Sequence, residues 1–258
     1  MSKKNALSTS AAFLFLLSAG SSWAGGTQLN YRFTEDDQWK MIDRSESTTE
    51  MMGTKFSSRS KRVTLYKITR NLGKGWYRIA AQVASQKNWD SSGQSNEQNS
   101  FAGMRFTADV HKSGVVRNYR FTGGDPQLAK MIGPAMKPAI FFFPEFPDEA
   151  LEPGEDFDSI IRYEMPGMMG AGGMKTVMKM TYTLEDINDG MATFSVKQRM
   201  KMRGSGMDIK SGGKSESVFD LNEGMWVEYE TNTKSTTGSG LASGGSTLTR
   251  SKVTVEKK

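Results

Sequence analysis

Residues 177–203 read VMKMTYTLEDINDGMATFSVKQRMKMR, two alternating runs around a turn. In the second run Phe194, Val196, Met200 and Met202 fall on one side, and Thr193, Ser195, Lys197, Arg199, Lys201 and Arg203 on the other. Successive side chains of a strand point to opposite faces, so this period of two predicts a strand with one dry and one solvated face. The first run repeats the pattern, with Met178, Met180, Tyr182 and Leu184 against Lys179, Thr181 and Thr183. Between them, Asn188-Asp189-Gly190 supplies residues that tolerate the positive φ of a tight turn, so the pair reads as a hairpin. A hairpin with one dry face has to cover something, which makes the chain mainly β and antiparallel.

The same hairpin has a counterpart earlier in the chain. Val63 to Arg70 and Trp76 to Gln82 flank Gly73 and Gly75, while Val177 to Asp186 and Met191 to Arg203 flank Gly190, so Gly75 and Gly190 lie 115 residues apart. A second pair recurs at nearly that interval. Arg105 to Asp109, a His111-Lys112-Ser113-Gly114 turn and Val115 to Phe121 are answered by Ser217 to Asp220, a Leu221-Asn222-Glu223-Gly224 turn and Met225 to Thr231. Gly114 and Gly224 are 110 residues apart. Two hairpins sharing one offset predict a duplicated antiparallel sheet, a curved sheet or half-open barrel of about ten to eleven strands. Each half opens with an acidic turn and an extended segment, Glu35 through Arg44 and Gly154 through Glu164, and Ser246 to Val255 adds a last strand.

Between the halves the pattern changes. Asp125 can cap a helix with Pro126 at its first position and Leu128, Met131 and Ile132 on one face. Gly133-Pro134 and Pro138 interrupt it, ahead of Ile140-Phe141-Phe142-Phe143. The expected organisation is a leader over 1–24, a first β half over 25–124, a helical and Pro-rich junction over 125–153 and a second β half over 154–258. Four runs rich in Gly, Ser or Asn read as long hairpin loops: Ser91 to Ser100, Pro166 to Gly173, Gly204 to Gly213 and Thr236 to Gly245.

Residues 1–24 have the layout of a secretory signal peptide: Lys3 and Lys4, the apolar run Ala11 to Leu17, then Ser22-Trp23-Ala24 as a small-x-small cleavage site. The apolar run is too short to cross a bilayer, which takes about 20 residues, and no later run is long enough. A periplasmic or extracellular protein cleaved near Ala24 is expected, with no transmembrane segment left. Without cysteine it can form no disulfide. Net charge is +6, or +4 without Lys3 and Lys4, and the signs alternate along the chain. Nucleic-acid binding calls for a basic patch interleaved with aromatics, so no nucleic-acid partner is expected. An outer-membrane barrel needs an apolar outward band and aromatic girdles. Here the chain ends Glu256-Lys257-Lys258, and the first-half strands carry charge on both faces.

The inventory for catalysis is poor. His111 is the single histidine and sits in a turn, cysteine nucleophiles are absent, and zinc sites built from several His or Cys cannot form. Gly213-Lys214-Ser215 echoes the end of a phosphate-binding loop, but Asp208 stands where its first glycine belongs and no helix follows. Ser58-Arg59-Ser60-Lys61 has Ser-x-x-Lys spacing without the companion Lys-Thr-Gly. Asp148, Glu149, Glu152, Glu155 and Asp156 cluster in a Pro-rich turn region open to water. No catalytic residue and no cofactor is assigned, so a non-enzymatic protein is expected.

Methionine is the anomaly: of 18, ten fall between Met165 and Met207. Flexible, polarizable side chains suit a surface that accepts varied apolar ligands. Met178, Met180, Tyr182, Phe194, Met200 and Met202, with Phe141, Phe142 and Phe143 as a lid, would form a groove for a lipid or another small apolar ligand. Two other readings stand beside it. Thioethers are soft ligands for Cu(I) or Ag(I), and Met165, Met168, Met169 and Met174 cluster in one short loop. The methionines could equally fill a packed core in a purely structural, envelope-associated protein.

Three features carry a resemblance: the turns Asp109 to Gly114 and Asp220 to Gly224, Phe146-Pro147, and the Pro153-Gly154-Glu155-Asp156-Phe157 junction. In these the chain resembles exported β-rich bacterial proteins of unknown function that are built of two similar halves. The layout is also similar to the half-open barrel of periplasmic lipoprotein carriers. That second likeness implies a curved antiparallel sheet that covers helices and holds lipid.

Overall fold

The structure, a computed structural model, describes residues 26–96, 101–123, 136–137, 139–165, 173–204, 207–239 and 245–258. The strands are β1 (Gln38–Met51), β2 (Thr54–Gly73), β3 (Trp76–Trp89), β4 (Ser95–Asn96), β5 (Arg105–His111) and β6 (Val116–Gly123) in the first half. The second half holds β7 (Asp156–Met165), β8 (Met174–Asn188), β9 (Met191–Gly204), β10 (Met207–Asp220), β11 (Met225–Ser239) and β12 (Ser246–Lys257). All belong to one antiparallel sheet ordered β6-β5-β3-β2-β1-β12-β11-β10-β9-β8-β7, with β4 attached to β3. The duplicated hairpins are therefore β2–β3 with β8–β9, and β5–β6 with β10–β11. Helical geometry among the described residues is confined to 136–137 and 139–140, and the helix expected over 125–132 lies outside them.

Strand order explains how the halves join. Each half is a meander, and the seam between them is β1 against β12, running from Trp39↔Lys257 to Glu50↔Ser246. β6 and β7 are left as the two edges. β2 and β8 are six steps apart in the order, about 29 Å on a flat sheet at ~4.8 Å per strand. Tyr66 of β2 and Met180 of β8 nevertheless line one cavity, so the sheet is curled into a half-open barrel.

Two extended segments fill the concave side. In residues 26–34, Leu29, Tyr31 and Phe33 are buried in alternation, and the second segment, 139–151, buries Ile140, Phe141, Phe146 and Leu151. They are tied by a bridge between Thr27 and Leu151, with N···O distances of 2.7 and 3.0 Å. The repeated turns clasp the first segment from both halves. Tyr31 donates its amide to the Lys112 carbonyl at 2.7 Å, and Arg32 donates to Gly224 at 3.2 Å. Gly224 has φ 61, and a Cβ there would lie 2.4 Å from the Arg32 amide nitrogen, which accounts for glycine at this end of the repeat.

The run Gly204 to Gly213, expected as a loop, is largely strand: β10 begins at Met207 and pairs on both sides. At Gly213 a side chain would put its Cβ 2.3 Å from the Asn232 carbonyl oxygen, so glycine here permits close strand approach. Thr236 to Ser239 likewise continue β11 instead of opening the loop expected there.

The convex face is charged. Lys40 pairs with Glu256 at 2.6 Å, Lys179 with Asp158 at 2.7 Å, and Lys252 with Glu228 at 2.7 Å. These pairs are solvent-exposed and add little stability each. No described helix is long and apolar enough to cross a membrane.

Candidate functional site

The concave face changes chemistry along the strands. At the end carrying the β10–β11 turn it is aromatic and tightly packed. Phe146 meets Tyr31, Phe219 and Trp226 at ring separations of 4.8, 5.1 and 5.9 Å, and Phe157 stacks on Tyr182 at 4.9 Å. Trp226 donates its indole N–H to the Tyr31 hydroxyl at 2.8 Å, and Tyr31 donates onward to the Pro144 carbonyl at 3.2 Å. Burial pushes the Tyr31 hydroxyl far above its ordinary pKa, so it stays a donor.

Above this floor lies a cavity of about 400 Å³. Trp39 and Met41 of β1 with Tyr66 of β2 form one wall, and Met178 and Met180 of β8 form the facing one. Trp226 and Tyr229 of β11, Val253 and Val255 of β12, and Phe142 and Phe143 of the junction complete the apolar lining. Several thioethers are engaged internally. Gln198 approaches the Met178 sulfur at 3.2 Å, the Tyr182 hydroxyl the Met180 sulfur at 3.5 Å, and the Tyr66 hydroxyl the Met41 sulfur at 3.7 Å. Tyr66 also donates to the Ile140 carbonyl at 2.6 Å, which anchors the junction to the wall, and burial raises its pKa.

At the far end of the cavity the lining turns polar. Arg62 donates to Asp43 at 2.8 Å and to the Ala139 carbonyl at 3.2 Å, while its buried Nε has no hydrogen-bond partner among the described residues. Beyond this pair the inward side chains are hydroxyls bonded across strands. Ser45 and Ser60 are 2.7 Å apart, Ser47 and Thr249 2.9 Å, and Thr49 and Thr247 3.0 Å. Ser251, Thr231 and Thr233 also border the cavity. The concave face thus runs from aromatic floor through apolar cavity to a neutral hydroxyl wall that leads toward the β1–β2 turn.

The expected groove residues divide within this arrangement. Met178, Met180, Phe142 and Phe143 line the cavity. Tyr182, Phe194 and Phe141 are buried in the packed core beside it. Met200 and Met202 are half-buried on the same face of β9, opposite Met178 and Thr176 in register. The three phenylalanines point apart: Phe141 meets Tyr66 and Tyr119, Phe142 meets Tyr229, and Phe143 meets Tyr31 and Phe33. Of the methionines considered for metal, Met165 and Met174 pair in register at the ends of β7 and β8, and Met168 and Met169 lie outside the described residues. No group of three or more His, Cys, Asp or Glu poised for a metal occurs among the described residues.

The sequence reading missed the β1, β2, β11 and β12 walls. Their signal was present: Trp39, Met41, Asp43, Ser45, Ser47 and Thr49 alternate with Lys40, Arg44, Glu46 and Glu50. The inward set is apolar for two positions only, so an apolar count overlooks it.

His111 caps its own turn. Its Nδ1 lies 2.8 Å from the Ser113 hydroxyl and its ring packs on Trp76 at 5.0 Å. Asp148, Glu149, Glu152, Glu155 and Asp156 are exposed.

No family model matches the chain, and no curated protein matches it. Among solved structures it is similar to a Bacteroides fragilis protein described as exported, with a YmcC-like fold, at 15% identity and a TM-score of 0.36. That match covers 89% of this chain and 99% of the other. It is also similar to an outer membrane channel from Pseudomonas putida, at 8% identity and a TM-score of 0.35, over 88% and 97% of the two chains. Both scores are below 0.5, so functional inference rests on this chain's own geometry.

Proposed function

We propose that the protein is an exported, non-enzymatic carrier or receptor that holds a lipid or another small apolar ligand in the concave cavity of its half-open barrel. The observation that carries this reading is the cavity itself. Its volume of about 400 Å³ falls in the range of roughly 300–1,000 Å³ usual for small-molecule sites. Its walls are mostly Met, Trp, Tyr, Phe and Val, and its polar lining is the Asp43–Arg62 pair, Gln198, Glu228 and the hydroxyls of Thr231, Thr233 and Ser251. Met178 and Met180 can adjust rotamers to varied chain shapes without strain. Residues 1–24, with their charged, apolar and small-residue regions in series, support export.

Binding is expected to follow chain length. Each methylene moved from water to the cavity contributes about 0.8 kcal/mol, so affinity for a series of fatty acids should rise about fourfold per carbon until the cavity is full. Titration with a fluorescent fatty acid, followed by displacement with the series, measures this. Met178→Trp, at a half-buried wall position, should weaken uptake at least about tenfold by occupying the space. Absence of uptake, or uptake that Met178→Trp leaves unchanged, would remove the reading.

A further inference from the structure

The end of the barrel that carries the β1–β2 turn has a composition unlike the rest of the surface. Met51, Met52 and Phe56 are 51%, 84% and 53% exposed, and Leu248 of the neighbouring β12 is 44% exposed. They are close together: Met51 ends β1, Thr49 and Phe56 are register partners, and Leu248 pairs with Thr48. Met51 and Phe56 stand on the concave side, at the rim of the hydroxyl wall. Leu248 is on the convex side beside Lys234. A folded chain gains nothing by presenting two methionines and a phenylalanine to water at a hairpin tip, so such a cluster marks a contact surface.

Charge identifies the partner. Around these tips, the strand ends carry Lys55, Lys175, Lys201, Arg203, Lys210 and Lys234 against Glu50, Glu164 and Asp208. Lys175 pairs with Glu164 at 3.3 Å and Arg203 with Asp208 at 3.6 Å, while Lys201, Lys210 and Lys234 have no acidic partner among the described residues. The opposite end is acidic. Glu35, Asp36 and Asp37 precede β1, Asp148, Glu149, Glu152, Glu155 and Asp156 lead into β7, Asp189 sits in the β8–β9 turn, and Asp220 and Glu223 in the β10–β11 turn, offset only in part by Arg32, Lys67, Arg70, Lys74, Lys112, Lys257 and Lys258. The molecule is thus polarised along its strands, with exposed apolar tips at the basic end.

We infer that this end docks on an anionic bilayer surface, with Met51, Met52 and Phe56 entering the headgroup region and the surrounding lysines facing lipid phosphates. Apolar side chains ringed by basic ones are the composition that interfacial membrane binding requires. A protein partner with an acidic apolar patch is the competing occupant. The bilayer is favoured because the apolar residues project from a hairpin end and the strand ends around them carry lysines without acidic partners among the described residues, the pairing that anionic headgroups complement. Docking in this orientation would bring the hydroxyl wall, and the cavity behind it, up to the membrane. The inference stands on the surface alone and holds whatever occupies the cavity.

Cosedimentation of the mature chain with vesicles tests it. Vesicles of phosphatidylglycerol with phosphatidylethanolamine should pellet the protein, and phosphatidylcholine vesicles should leave most of it in solution. Binding should weaken as salt is raised, because the lysines are exposed and screened. The double variant Met52→Asp, Phe56→Asp should lose at least about tenfold in partitioning. Both positions are exposed, and Met52 has φ 51, which Asp tolerates, so the fold should persist with unchanged circular dichroism. Lys210→Glu with Lys234→Glu should abolish the preference for anionic vesicles. Met178→Trp should leave pelleting intact, so failure of the cavity reading and failure of docking are read separately. Failure to pellet with anionic vesicles, or pelleting that Met52→Asp, Phe56→Asp leaves unchanged, overturns the inference.

Discussion

Replacing Phe146 with alanine is expected to lower stability by about 3–5 kcal/mol, the cost of emptying a fully packed aromatic site. The residue is 3% exposed and lies on the segment that crosses between the halves. Its ring touches Tyr31 of the N-terminal segment, Phe157 of β7, Phe219 of β10 and Trp226 of β11. Its amide donates to the Ser113 carbonyl in the β5–β6 turn at 2.8 Å. One side chain therefore joins elements distant in sequence, and its neighbours are rings that cannot collapse into the space left behind. Thermal denaturation followed by tryptophan fluorescence should show a midpoint lowered by roughly 10 °C. A shift of a degree or two would mean that the aromatic floor does not hold the two halves together.

The second large effect is expected at Asp109, a carboxylate 2% exposed in β5. It accepts hydrogen bonds from Arg78 Nε at 2.8 Å and from Asn118 at 2.7 Å. Asn118 is itself held at φ 53. Asp109→Ala leaves both donors without their acceptor. Breaking a fully buried pair costs about 3–5 kcal/mol, but Arg78 is 43% exposed and can rehydrate, so about 2 kcal/mol is expected. The Arg78 bond, ahead of the Asn118 bond, holds the Asp109 carboxyl below its ordinary pKa. A group whose pKa is depressed by folding contributes stability that is present above its unfolded pKa, about 3.9, and lost as pH falls through the folded value. The stability gap between wild type and Asp109→Ala, measured by urea denaturation, should thus be constant near neutrality and narrow below about pH 4. A gap that widened on acidification would contradict this placement of the charge.

How much could be read in advance depends on which contrast each segment carries. The β8–β9 hairpin was legible because its inward residues are apolar and its outward ones cationic, the contrast to which hydropathy responds. The turns ending at Gly114 and Gly224 were legible as a repeat, and the structure gives both the same work of clasping residues 31 and 32. The start of β2 was not legible. From Thr54 to Arg62 the inward side chains are Thr54, Phe56, Ser58, Ser60 and Arg62, and the outward ones Lys55, Ser57, Arg59 and Lys61. Both faces are largely polar, so no apolar period appears, and the strand is held by its ladder to β1 and by cross-strand hydroxyl pairs. The 207–213 run misled for a related reason. Its glycines looked like loop residues, yet Gly213 is there because β11 passes too close for a side chain. Half of the candidate site was hidden in this way, because the β1, β11 and β12 walls change from aromatic to hydroxylic within a few residues. Met178 and Met180 were visible from the alternation of β8, whereas their facing partners Trp39, Met41 and Tyr66 depend on the curl of the sheet, which no local pattern encodes.

Native mass spectrometry of the protein purified from its own envelope addresses the cavity most directly. A species heavier than the protein alone by the mass of one small amphiphile is expected, absent from Met178→Trp prepared in the same way and extractable into organic solvent as lipid. Ligand-free mass alone, together with no uptake of a fluorescent fatty acid, would contradict a binding role and leave the methionines as core.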